Sequence, residues 1–150
     1  MSEFRIEKVR HQLEVTLTTG ERLVGTVFLE SVARNRAGAQ DPRGLLNDPA
    51  AFFPFEVGDL LVLIAKDQVK IASHAVNAEA DTIALPTIDI RVSMADGHIV
   101  DGAVEVDAPS DAHRLLDFLN RADARFLSMT IDRTTRCLVN RRLISGVVQR

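Results

Sequence analysis

Two stretches of this chain spell the same strand–turn–strand, 77 residues apart. Residues 15–30 read VTLTTGERLVGTVFLE and residues 92–107 read VSMADGHIVDGAVEVD. Val15 matches Val92, Leu17 matches Met94, Val27 matches Val104 and Leu29 matches Val106. Gly20 and Gly25 fall on Gly97 and Gly102, and Glu30 falls on Asp107. Self-similarity at a fixed offset constrains architecture more than any single motif does. It implies one structural unit used twice.

The pattern inside each copy is that of strands. Leu13, Val15 and Leu17 alternate with Gln12, Glu14, Thr16 and Thr18. Ile88, Ile90, Val92 and Met94 alternate with Asp89, Arg91 and Ser93. A period of two puts one set on a buried face and the other in water. Thr19-Gly20 and Asp96-Gly97 read as hairpin turns, the second with both central residues at positive φ. Gly25 and Gly102 lie inside return strands, where a glycine marks a bend or bulge.

The copies diverge after the second strand. RNRAGAQDPRGLLNDPAAFFPF (34–55) is rich in Gly, Pro and Asp and reads as loop with a helical turn at Leu45-Leu46. DAPSDAHRLLDFLNRADARF (107–126) predicts a helix over 111–121, capped by Ser110, with Leu115, Leu116 and Leu119 on its buried face. Further strands are predicted at 51–55, 60–66, 69–72, 126–131, 136–140 and 143–148. The expectation is mainly β: five-stranded units at 1–73 and 88–150, joined by a linker at 74–87.

This arrangement resembles the Sm-like, SH3-like small β-barrel, present as two tandem copies with a short helix in the second. Val15, Leu17, Gly20, Gly25 and Glu30 carry the resemblance, and again Val92, Met94, Gly97, Gly102 and Asp107. The second copy is also similar to bacterial Sm-like proteins of unknown function, through Arg114, Leu115, Asp117, Leu119, Asn120, Phe126 and the Val-Asn-Arg-Arg-x-Ile run at 139–144. The resemblance implies association by pairing the fourth strand of one unit with the fifth of the next. Lys66, Lys70, Arg141 and Arg142 would then moderate the edges. Loops that bind uridine-rich RNA in that family have no match here, so no RNA-contacting residue carries over.

Composition narrows the function classes. The chain has 18 basic and 21 acidic residues, for a net charge of −3. Residues 1–73 hold 9 basic and 10 acidic groups and residues 88–150 hold 9 and 9, so neither half is a basic module drawn to nucleic acid. The single Cys137 lies in an apolar run, as a buried inert thiol would. No secretory pattern is visible, and the LLVLIA run at 60–65 is too short to span a bilayer. A cytoplasmic location is the default expectation.

Catalytic patterns are absent from the sequence. His11, His74, His98 and His113 fall in a strand, the linker, a turn and the helix, without metal spacing. There is no Gly-x-Ser-x-Gly elbow and no Gly-Lys phosphate loop. The sequence therefore predicts no catalytic residue, no cofactor and no metal. Arg114, Asp117 and Arg121 on the helix, with Arg133, Arg136, Arg141 and Arg142 near the last hairpin, form the candidate surface for a partner or anion. The leading expectation is a self-associating, non-enzymatic scaffold that presents its units to a protein partner. The alternatives are an Sm-like RNA-binding protein and a small-ligand sensor using the Arg-rich loops.

Overall fold

The computed structural model describes residues 8–30, 41–76, 86–106, 112–121 and 124–150, with the side chains of 112–114 excepted. Ser110 as a helix cap, Asp107, the side chain of Arg114 and most of the 74–87 linker lie outside the described residues. The described residues are mainly β, with ten antiparallel strands and two α-helices. They divide into two units, Met1–His74 and Ala75–Arg150.

Unit 1 contains β1 (Lys8–Leu17), β2 (Arg22–Glu30), α1 (Pro42–Asn47), β3 (Phe52–Val57), β4 (Leu60–Ala65) and β5 (Val69–Ala75). Within it the hydrogen-bonded order is β5-β1-β2-β3-β4. Its core is built by Leu13, Val15, Val27, Leu29, Phe53, Phe55, Ile64 and Leu46. Phe53 and Phe55 meet edge to face with ring centroids 6.1 Å apart. Asp41 caps α1 by accepting a hydrogen bond from the Gly44 N–H at 2.7 Å, and Pro42 occupies the first turn. Both are standard helix-start chemistry. The predicted turn at Leu45-Leu46 is thus a six-residue helix whose Leu46 is fully buried.

Unit 2 contains β6 (Thr87–Met94), β7 (Ile99–Glu105), α2 (Ala112–Arg121), β8 (Phe126–Thr130), β9 (Thr135–Asn140) and β10 (Ile144–Gln149). Its order is β10-β6-β7-β8-β9, the same sequence of roles as in unit 1. Ile88, Ile90, Val92, Met94, Val104, Met129 and Val139 lie in its core. Cys137 is free and buried.

The first hairpins of the two units agree bond for bond. Gly20 and Gly97 have φ of 92° and 93°. Their N–H groups donate to Leu17 O and Met94 O, each at 2.9 Å. Leu17 N–H donates to Glu21 O, and Met94 N–H to His98 O, each at 2.8 Å. These are three-residue loops with glycine in the left-handed position. The two-residue turn expected at Asp96-Gly97 is therefore corrected. Among the described residues no non-glycine has positive φ, because one glycine at the last loop position supplies all the left-handed geometry needed.

Gly25 and Gly102 are explained by close approach. The β1–β2 register runs unbroken through Leu13↔Gly25, and β6–β7 through Ile90↔Gly102. No bulge is present at either. A Cβ on Gly25 would lie 2.4 Å from Glu56 O, and one on Gly102 would lie 2.8 Å from Thr130 O. The third strand of each unit crosses there, touching the second through the single pairs Thr26↔Glu56 and Ala103↔Thr130. The register shifts occur instead in the pairing with the last strand, between Thr16 and Leu17 and between Ile144 and Gly146.

Helix α2 corrects its predicted face. Leu115 is buried and Leu119 half-buried, but Leu116 is 57% exposed. Residues four apart share a helix face, whereas adjacent residues are turned about 100° from one another. The contact stripe is too narrow to take both Leu115 and Leu116.

Candidate functional surface

The hairpin of β3 and β4 has two unlike faces. Cross-strand partners share a face. Phe53 pairs with Ile64, and both are buried. Phe52 pairs with Ala65, Pro54 with Leu63 and Glu56 with Leu61. On that outer face Phe52 is 59% exposed, Leu61 61% and Leu63 65%. Leu60 at the hairpin tip is also exposed. Among the described residues strand β4 has one hydrogen-bonded neighbour, β3, so a row of its backbone groups faces outward. It carries no charge, no proline and no register shift. Those are the devices that usually blunt an open strand edge.

The corresponding hairpin of unit 2, β8 and β9, carries the same two large residues on the same face. Phe126 stands where unit 1 has Phe52, and Leu138 where it has Leu63. Both are buried, at 1% and 0% exposure. Strand β9 is buried over Cys137–Asn140. The last strands differ in the opposite sense. Val69–Ala72 and His74 of β5 are buried, while β10 is half-buried or exposed along its whole length. Each unit therefore exposes one strand whose counterpart in the other unit is covered.

Two of the four charges expected at strand edges, Lys66 and Arg141, are used elsewhere. Lys66 is fully buried; its Nζ donates to Asp48 Oδ1 at 2.6 Å and to Asp48 O at 3.2 Å. Lys70 is also buried. Arg141 holds the matching position in unit 2 and donates to Leu119 O near the end of α2 and to Ala124 O at 3.0 Å. Both residues begin a one-turn 3₁₀ segment, Lys66–Gln68 and Arg141–Leu143. Their N–H groups bond back to Ala51 O and Arg125 O. A long cation thus ties the fourth-to-fifth strand connection to the helical insert in each unit. The only sequence signal for this was a cation at the same place in both copies.

The remaining candidate arginines do not converge. Arg133 lies in the loop before β9 and Arg142 lies after it, both exposed, with Arg136 between them. Six strand residues separate the two loops by roughly 20 Å. Arg136 pairs with Glu105 at 3.3 Å. Asp117 and Arg121 are exposed on α2, and Arg121 Nε donates to Asp117 O at 3.3 Å. Arg114 lies in the same helix.

A separate charge network crosses β6 and β7. Arg91 grips Asp101 through two bonds of 2.8 and 3.1 Å, and Arg150 approaches Asp101 at 3.6 Å. The hydrogen bond from Arg91 holds the Asp101 carboxyl below its usual range, aided by the charges of Arg91 and Arg150 and opposed by partial desolvation. The network borders an open groove of about 480 Å³ over Gly102 and Thr130. Residue 24, the Asp101 counterpart, is a valine, so unit 1 lacks this pair.

The structure brings together two histidines that the sequence leaves apart. His74 belongs to β5 rather than to a linker. Its ring meets that of His11 on β1 edge to face, with centroids 5.6 Å apart. Among the described residues no three His, Cys, Asp or Glu side chains cluster to hold a metal ion. Among the described residues no helix is long and apolar enough to cross a membrane. No family model, curated protein or solved structure matches the chain.

Proposed function

We propose that this protein is a non-enzymatic scaffold, built from two Sm-like β modules, that assembles with further copies of itself and presents the assembly to a protein partner. The supporting observation is the pair of uncovered strands. Strand β4 is bare where β9 is buried, and β10 is bare where β5 is buried. One copy thus offers an uncovered fourth strand and an uncovered fifth strand, the two edges that pair in the Sm-like mode. Adding β10 of one copy to β4 of the next satisfies outward backbone groups, as strand addition does generally. It also shields part of the Phe52–Leu63 surface. A head-to-tail contact of this kind either closes into a ring or continues as a filament.

Light scattering on the purified protein tests this reading. The chain mass is 16.5 kDa, and the expected particle is a multiple of it. Leu63→Lys, placed on the exposed face of β4, should return the particle to one chain without unfolding it. A wild-type protein that stays monomeric at tens of micromolar would overturn self-association. Stoichiometric nucleic acid retained through purification would move the RNA-binding alternative ahead of the scaffold.

A further inference from the structure

We infer that His11 and His74 form a two-imidazole site for a late first-row transition-metal ion, copper or zinc, inside unit 1. The register of β1 with β5 pairs Glu14 with Ser73. Carried one step further, it sets His74 opposite Leu13 and makes His11 its diagonal neighbour on the same face. That face is the inward one, since Leu13 and Val15 are buried. His74 is itself 9% exposed.

Nε2 of His11 is shut off from water and has no hydrogen-bond partner. Such an atom is uncommon in a native protein, and a water or an ion is the usual explanation. The ring separation is compatible with a shared ion. With metal–nitrogen bonds of about 2.0–2.1 Å, two imidazoles sharing one ion place their centroids roughly 5–6 Å apart, and the separation here is 5.6 Å.

The ligand set selects the kind of ion. Calcium and magnesium require oxygen ligands. Imidazole suits copper, zinc and nickel. With no third His, Cys, Asp or Glu in a cluster among the described residues, the protein supplies two nitrogens. A linear two-coordinate copper(I) would set the centroids roughly 6.4 Å apart, so at 5.6 Å copper(I) is bent and takes a further small-molecule ligand. Zinc would complete its shell with water or another small molecule. The two histidines are 63 residues apart in sequence, so no spacing rule reveals them.

The test uses the full chain, stripped of metal, at neutral pH. Copper(I) and zinc(II) are titrated separately against chromophoric competitors, and histidine side-chain NMR is recorded in parallel. One ion per chain is expected, with ring signals of His11 and His74 shifting and those of His98 unmoved. His11→Gln and His74→Gln should each weaken binding tenfold or more, and His98→Gln should not. Tightest binding of copper(I) identifies a copper site, and tightest binding of zinc identifies a zinc site. No bound ion, or an ion that shifts other histidines instead, overturns the site and leaves a structural pair only. If the glutamine variants fold poorly, the wild-type NMR shifts still decide. This outcome is independent of the oligomeric state.

Discussion

The outer face of the β3–β4 hairpin and that of the β8–β9 hairpin are built alike and used differently. Both place a Phe and a Leu on one side of a two-stranded ribbon, at 52 and 63 in unit 1 and at 126 and 138 in unit 2. One pair is more than half exposed and the other is buried. The same two side chains in two environments show that side-chain type alone does not assign a residue to the core. A single exposed Leu needs no explanation. Phe52 of β3 with Leu60, Leu61 and Leu63 of the uncharged strand β4 form an exposed apolar run.

The sharpest test of the comparison is a charge at each matched leucine. Leu138→Lys buries an ammonium with no partner and should cost about 4 kcal/mol or more. Leu63→Lys sits in water and should stay within about 0.5 kcal/mol by chemical denaturation of the monomer. Equal losses would mean that the two faces are equally covered in solution.

The two close-approach glycines come next. Gly25→Ala drives a methyl into Glu56 O and the Phe55 ring, and should cost about 3 kcal/mol. Gly102→Ala meets Thr130 O at 2.8 Å and the flexible ends of Ile131 and Met129, so about 2 kcal/mol is expected. A reversed order in thermal melting would show that β8 yields less readily than β3.

The two tying cations should give smaller changes. Lys66→Met leaves Asp48 without its partner and should cost about 2 kcal/mol. Arg141→Met unties the end of α2 and should cost about 1 kcal/mol, with faster amide exchange in the helix.

The smallest effect is confined to unit 2. The Asp101 carboxyl titrates lower in the folded protein than in the unfolded chain, because Arg91 donates to its ionised form. Its contribution is complete above the unfolded value, near 4, and is lost as pH falls through the folded value. The stability difference between wild type and Asp101→Asn should therefore shrink as the buffer is taken below about pH 4. An unchanged difference would mean that the Arg91 contact is not made in solution.

The period-two pattern determined β1 and β6. It worked because each has one face in a core, so a register slip would expose Leu13, Val15, Ile90 or Val92. Glycines at 20 and 97 marked the turns, since only a residue without a Cβ takes that φ freely. The sequence also placed a short helical turn at Leu45-Leu46, and a helix near 111–121 from a Ser110 cap and leucine spacing.

Only tertiary structure decided which apolar strands are covered. Leu138 is buried and Leu63 exposed although they hold the same place in matching strands, because coverage depends on what lies across space. It also decided that Lys66 is a buried tie, that the candidate arginines spread along β9, and that His11 and His74 meet. Each of these depends on residues distant in sequence being brought side by side by strand pairing. Periodicity reports which way a side chain points along its own strand, and carries no information about what it will find there.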